Sequence, residues 1–302
     1  MTSGGIARVT VLTNPASGHG NAPHAAERAI ARFQQRGVDV CGIVGTDAGH
    51  ARRLVDAELS RGTDALVVVG GDGIISVALQ ALALGDVPLG IIPAGTGNDH
   101  AREYGLPTGD PAAAADVVVD GRVETVDLGR IKGADGTDRW FGTVMAAGFD
   151  SLVSDRTNRM SWPHGRMRYN VAMVAELSKL RLLPFRLTFD GEELVTDLTL
   201  AAFGNTRSYG GGMLICPDAD HSDGQLDVTM VQSASRTKLI RLFPTVFKGT
   251  HVDLDQVRTA RAKVITVDSP GINAYADGEF VCPLPVEVSA VAAALRILRP
   301  RS

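Results

Sequence analysis

Leu66-Val67-Val68-Val69-Gly70-Gly71-Asp72-Gly73-Ile74-Ile75 is the stretch on which the reading of the fold turns. Its first half is apolar and largely β-branched, the pattern of a strand buried on both faces. It closes on two adjacent glycines, an aspartate and a third glycine, after which Ile75, Leu79 and Leu82 recur at helical spacing. The stretch therefore reads as strand, tight turn, helix. Glycines let the backbone approach a ligand closely, and the N–H groups that open a helix favour phosphate. A bare carboxylate among them repels phosphate, so Asp72 calls for a metal ion or a proton to move. Its plainer role is to cap the helix that follows. On these residues alone both roles stand.

The same pattern recurs outward from this stretch. Ile6–Thr13 predicts a strand running into Asn14-Pro15-Ala16-Ser17-Gly18-His19-Gly20, where Pro15 ends any central strand. Ala26, Ala29, Ile30 and Phe33 mark an amphipathic helix, Val38–Val44 a second strand, and Leu54 and Leu59 a helix after Thr46-Asp47. Pro88–Ile92 predicts a further strand that closes on Pro93-Ala94-Gly95-Thr96-Gly97-Asn98-Asp99. Alternating strands and helices imply an α/β fold with a doubly wound parallel sheet, whose ligands sit at the carboxyl ends of the strands. Small-residue loops fall at three such ends, 14–20, 70–73 and 95–99, and their recurrence favours a phosphate site. Gly18-His19-Gly20 starts like a dinucleotide fingerprint but lacks the third glycine, a weak signal. Asp110-Pro111 opens a further helix. Arg122–Leu128 reads as a strand on which Asp127, between Val126 and Leu128, faces solvent.

From Gly129 the period changes to two. Trp140–Phe149, Phe185–Phe189, Val195–Phe203, Leu226–Val231, Val264–Val267 and Val286–Val288 read as strands, with helices at Arg166–Leu183 and Lys238–Lys248. This predicts an antiparallel β-rich domain over 129–293 after an α/β domain over 1–128, with Ala294–Leu298 a candidate to rejoin the first so that 294–302 completes it. Two polar clusters stand out. Asp218-Ala219-Asp220-His221-Ser222-Asp223-Gly224-Gln225 offers oxygen ligands suited to Mg²⁺ or Ca²⁺, or is a solvated acidic turn. Asp277-Gly278-Glu279 is turn chemistry, or it carries a catalytic base.

Bulk composition excludes several classes. The 302 residues suggest two domains, with 44% apolar and 21% charged residues as in ordinary globular proteins. A net charge of −4 argues against a nucleic-acid binder that works by broad phosphate neutralisation. No window is apolar enough for a transmembrane helix, and Met1-Thr2-Ser3-Gly4-Gly5 lacks a signal-peptide pattern. Cys41, Cys216 and Cys282 are odd in number and widely spaced, as in reduced cytoplasmic chains.

Taken in order, Asn14-Pro15-Ala16-Ser17-Gly18, Gly70-Gly71-Asp72-Gly73, Gly95-Thr96-Gly97-Asn98-Asp99 and Asp277-Gly278-Glu279 resemble the diacylglycerol kinase catalytic domain family. That family includes sphingosine and ceramide kinases, and the likeness looks closest to actinobacterial soluble diacylglycerol kinases. The resemblance spans nearly the whole chain. It implies a nucleotide domain similar to those of NAD kinases and phosphofructokinases, followed by a β-sandwich that takes the lipid. It further implies that Asn14, Pro15, Ala16, Ser17, Gly18, Thr46, Gly71, Asp72, Gly73, Thr96 and Asn98 contact ATP. Asp72, Asp99 and Asp127 would hold a catalytic Mg²⁺, largely through waters, and Asp220, Asp223 and the carbonyl of Gln225 a structural one. Asp277 and Glu279 would activate the lipid hydroxyl.

Two departures from the family pattern are visible. Ile74 stands where a threonine is usual, and Ser76-Val77 where an Asn-Glu pair is usual. The reading is an ATP- and Mg²⁺-dependent kinase that converts diacylglycerol to phosphatidic acid. Its alternatives are a kinase for another lipid or for a soluble polyol or nucleotide such as NAD, and a catalytically impaired nucleotide- or lipid-binding module. Without a spanning helix, a cytoplasmic chain of this kind meets its lipid by peripheral contact with the inner face of the membrane, for which Arg166–Leu183 is the candidate surface. A homodimer is compatible with the resemblance.

Overall fold

The computed structural model describes residues 5–14, 21–160, 162, 171, 175–176, 180–232 and 235–301. The candidate docking stretch from Arg166 thus lies mostly outside the described residues, as do Pro15, Ala16, Ser17 and Gly18. The chain divides into two compact units: Met1–Leu128 with Gly210–Gly212 and Ala292–Ser302, and Gly129–Tyr209 with Met213–Val291.

In the first unit β1 (Arg8–Thr13), β2 (Asp39–Val44), β3 (Ala65–Gly70) and β4 (Leu89–Pro93) alternate with α1 (Ala22–Gln35), α2 (Ala48–Arg61) and α3 (Asp72–Leu82). All neighbours pair parallel in the order β2-β1-β3-β4. The run of valines makes β3 the middle of the core, with every residue from Ala65 to Gly70 buried. On α1 the apolar stripe Ala25, Ala26, Ala29 and Phe33 is buried. On α2 the buried residues are Ala51, Val55 and Glu58, one step round from the predicted Leu54 and Leu59. The order reverses beside β1, so the carboxyl ends of β1 and β3 flank the place where such sheets bind ligands. After α4 (Asp99–Glu103), α5 (Pro111–Asp120) is capped by the Asp110 carboxylate, which accepts the Ala112 N–H. Arg32 and Arg36 of α1 then pair with Asp116 and Asp120 of α5.

The first unit is completed from the far end of the sequence. Ile297 of the last strand pairs with Leu89, and the Ala294 carbonyl accepts the Leu84 N–H at 2.7 Å.

The second unit is an antiparallel sandwich. β5 (Arg122–Gly133) enters it and pairs with β6 (Asp138–Phe141) through Gly129–Lys132. One sheet contains β7 (Val144–Gly148), β10 (Leu200–Gly204), β11 (Leu226–Val231), β12 (Val257–Ala262), β14 (Asn273–Ala276) and β15 (Glu279–Pro283), in the order β12-β11-β10-β7-β14-β15. The other pairs β8 (Leu183–Phe189) with β9 (Glu192–Leu198) and with β13 (Val264–Asp268), and β13 with the start of β16 (Val286–Arg299). Phe185, Leu187, Ile265 and Val267 meet Met145, Phe203, Leu226 and Val228 in the core between them. The first sheet's other face is covered by α7 (Arg236–Val246).

Two predicted strands are broken. The run Trp140–Phe149 splits at Gly142-Thr143 and ends in α6 (Phe149–Arg159), and Val195–Phe203 splits at Thr199. At Thr199 the chain passes from one sheet to the other, and at Gly142-Thr143 the backbone N–H groups donate to the carboxylate of the distant Asp277. Such a long-range bond leaves no local sequence mark.

Because Ile297 is fully buried while Val195 is 64% exposed, Ile297→Ala should cost about 2–5 kcal/mol in denaturant unfolding. Val195→Ala should stay within about 0.5 kcal/mol. Equal effects would contradict the placement of the last strand in the first unit.

Candidate active site

The register of β3 against β4 sets Gly70 opposite Pro93, so the two glycine turns that follow lie side by side. They touch backbone to backbone: a Cβ on Gly95 would lie 2.3 Å from Gly71 Cα, and one on Gly71 3.0 Å from Gly95 Cα. Only glycine permits that approach. The second turn is held shut by Asn98, in left-handed conformation at φ 53°, whose side chain accepts from the Gly95 N–H at 3.0 Å and donates to its carbonyl at 2.9 Å. Thr96 and Gly73 are exposed at the tips of their turns.

Asp72 is the first residue of α3, and the residue at the cap position is Gly71. The Asp72 carboxylate reaches across to α4, where it accepts from the backbone N–H of Asp99 and of His100, each at 3.3 Å, and lies 3.0 Å from His100 Nδ1. Of the two roles left open for Asp72, the cap of its own helix falls to Gly71, and Asp72 instead caps the next helix. Burial alone pushes its pKa up, but the His100 ring, its charge, and the two backbone N–H groups outweigh burial and hold the carboxyl below its ordinary value.

Asp99 is turned toward a glycine turn. Its oxygens accept the Gly211 and Gly212 N–H groups, both at 2.8 Å, and the Arg102 guanidinium at 2.6 Å. The left-handed φ of these glycines, 88° and 100°, aims the two N–H groups at one carboxylate. Asp127, predicted to face solvent, is 3% exposed and accepts the Ala293 N–H at 2.8 Å. Its strand neighbours gave the wrong face because its partner comes from the far end of the chain.

Among the described residues no three His, Cys, Asp or Glu side chains converge as a ligand group, so Asp72, Asp99 and Asp127 do not form one. Asp72 and Asp99 nevertheless flank a common space. A Cβ on Gly97 would lie 2.7 Å from Asp72 Oδ2 and 3.5 Å from Asp99 Oδ2, and glycine keeps that space clear. A cation that retains most of its waters and takes one or two carboxylates, as Mg²⁺ does, fits such a pair.

The other candidate residues are placed as follows. Thr46 is exposed before α2, with its hydroxyl 3.1 Å from Asp47 Oδ2, while Asp47 caps α2 through the His50 N–H. Asn14 directly follows β1. In the second unit Asp277 sits in a tight turn at φ 50°, buried, and accepts the Gly142 and Thr143 N–H groups and, at 2.6 Å, the Thr143 hydroxyl. Glu279, two residues on, is exposed. Asp220 accepts from Ser222, and Asp223 caps the Gln225 N–H. The Arg261 guanidinium bridges Asp223 and Asp227, so a protein cation already neutralises this loop. Sequence reasoning missed His100, Arg102, Thr143 and Arg261. The consecutive glycines 210–212 were a visible signal that it did not use.

Comparison with known proteins gives consistent matches along the chain. Residues 8–131 match the family described as the diacylglycerol kinase catalytic domain, and residues 143–299 the YegS C-terminal NAD kinase beta sandwich-like domain. A diacylglycerol kinase of Mycobacterium tuberculosis is 69% identical over 297 residues, which are 98% of this chain and 96% of that protein. One from Bacillus subtilis is 27% identical over 298 residues, 97% of each chain. A solved diacylglycerol kinase structure from Bacillus anthracis shares the fold, with a TM-score of 0.73 at 20% identity over 99% of this chain and 98% of that one.

The lowered pKa of Asp72 fixes the sign of a pH effect. A carboxyl with a depressed folded-state pKa contributes stability above its unfolded value of about 3.9, and that contribution is lost as pH falls through the folded value. With divalent ions chelated, Asp72→Asn should narrow the fall in melting temperature between about pH 6 and pH 2. An unchanged acid limb would refute the linkage.

Proposed function

The chain belongs to the diacylglycerol kinase family, and from that premise we propose that it moves the γ-phosphoryl group of ATP to the free hydroxyl of diacylglycerol, giving phosphatidic acid, with Mg²⁺ as the metal. The observation that carries the proposal is the pair of abutting glycine turns that hold Asp72 and Asp99 around a space kept clear by Gly97. The near full-length likeness to a diacylglycerol kinase of Mycobacterium tuberculosis supports the substrate class.

Phosphoryl transfer asks little covalent chemistry of a protein and much positioning. Backbone N–H groups of Gly71, Gly73 and Thr96, with Thr46 and the Asn14–Gly18 loop, are proposed to seat the nucleotide, as such turns seat phosphates elsewhere. Asp72, Asp99 and, through water, Asp127 are proposed to hold Mg²⁺, which when bound would offset the negative charge of the phosphates. The low pKa of Asp72 keeps it ionised for that purpose.

The acceptor hydroxyl must lose a proton as its oxygen bonds to phosphorus and the β–γ bridge breaks to release ADP. Glu279 is the exposed carboxylate and is proposed to receive that proton. Asp277, with three donors on its oxygens, fixes the turn on which Glu279 stands. The Asp220, Asp223 and Gln225 loop is a weaker metal candidate, since Arg261 already bridges Asp223 to Asp227.

Transfer of labelled γ-phosphate from ATP to diacylglycerol in mixed micelles with Mg²⁺ tests the proposal. Glu279→Gln should lower kcat about 100-fold or more with the melting temperature unchanged. Asp277→Asn should lower both, because buried N–H groups lose a charged partner. Asp72→Asn should abolish transfer. ATP binding without transfer by the parent protein would instead favour the impaired module that Ile74 and Val77 suggest, and transfer only to soluble acceptors would move the substrate.

A further inference from the structure

α7 carries an outward face that its packing does not explain. Leu242 and Val246 of this helix are buried against Val144, Leu200, Ala202 and Val231 of the sandwich. On the far side Phe243 and Phe247, one turn apart, are 44% and 47% exposed. Their rings meet edge to face at 5.6 Å, so the two form one aromatic platform. Lys238 and Arg241 of the same helix and Lys248 just after it are also exposed, and among the described residues none of the three is in an ion pair.

The charge of this segment runs against that of the chain. Between residues 233 and 252 there is no aspartate or glutamate, while the whole protein carries −4. A second copy of the same face would bring like charges together in a two-fold contact, which disfavours self-association there. An anionic bilayer satisfies both parts at once. Aromatic rings settle at the boundary between headgroups and acyl chains, and lysine and arginine lie among the phosphates.

We propose that α7 is a docking surface for an anionic lipid membrane, seated through Phe243 and Phe247 and held by Arg241, Lys248 and Lys238. The inference rests on the lipid-kinase reading for its purpose, since a substrate confined to a bilayer must be met at the bilayer surface. It places the contact on a described helix separate from the Arg166–Leu183 stretch.

The test is sedimentation of the full-length protein with phosphatidylcholine vesicles containing about a third phosphatidylglycerol, beside vesicles of phosphatidylcholine alone. Two double variants are compared with the parent, Phe243→Ser with Phe247→Ser and Arg241→Glu with Lys248→Glu. All four side chains are exposed, so melting temperatures should hold. The Arg241→Glu, Lys248→Glu variant should lose about 30-fold or more in affinity for the anionic vesicles, at roughly fivefold per basic contact near the surface, and the phenylalanine variant should also bind them more weakly. Transfer to a short-chain diacylglycerol dispersed in solution should be unchanged. Equal vesicle affinity of parent and variants, or equal affinity for neutral and anionic vesicles, would overturn the proposal, as would a parent dimer that the variants convert to monomer. Loss of vesicle binding in the variants, with no transfer by any form to the short-chain lipid, would uphold the docking surface and sink the kinase reading.

Discussion

The contact on which the first unit depends is between two backbones. Gly71 and Gly95 approach so closely that no side chain fits between them. The meeting of Asp72 with the start of α4 follows from that approach. The approach brings the start of α3 beside the start of α4, so the Asp72 carboxylate can cap the neighbouring helix, and it draws Asp99 toward the same space. The parallel register of β3 and β4 makes the approach available, and the all-buried valine run keeps that register from slipping.

Four aspartates, three in the first unit and one in the second, share a habit. Asp72, Asp99, Asp127 and Asp277 each accept backbone N–H groups from a segment distant in sequence. A buried carboxylate is costly unless it is paired, and one or two backbone donors provide pairing while fixing its direction. These aspartates therefore tie the fold together with the same atoms that can face a ligand. Glu279 differs in standing exposed, at the start of a strand, on a turn fixed by Asp277.

Local patterns carried the architecture. Alternation of buried strands and amphipathic helices over the first half, then period-two strands over the second, was enough to give the α/β and antiparallel classes, because each depends on which face of a short element is apolar. The glycine turns were legible for the same reason, as breaks at strand ends. What those turns hold was not. Asp72 meets its partner 28 residues on, Asp99 meets glycines 112 and 113 residues away, and Asp127 a residue 166 away. Asp127 looked solvent-facing because alternation counts only neighbours along the strand. The strand breaks at Gly142 and Thr199 escaped notice likewise, since the first is set by the distant Asp277 carboxylate and the second by a change of sheet.

The order in which the chain leaves the ribosome makes the last strand more than a structural detail. β4 keeps an unpaired edge until Leu89 finds Ile297 and Leu84 finds Ala294, and both partners follow the sandwich in sequence. A nascent first unit therefore waits with that edge open while the whole sandwich is translated, a period in which a neighbouring chain could add to it. Vectorial synthesis and native topology pull in opposite directions here. The α/β unit begins before the sandwich and is completed after it.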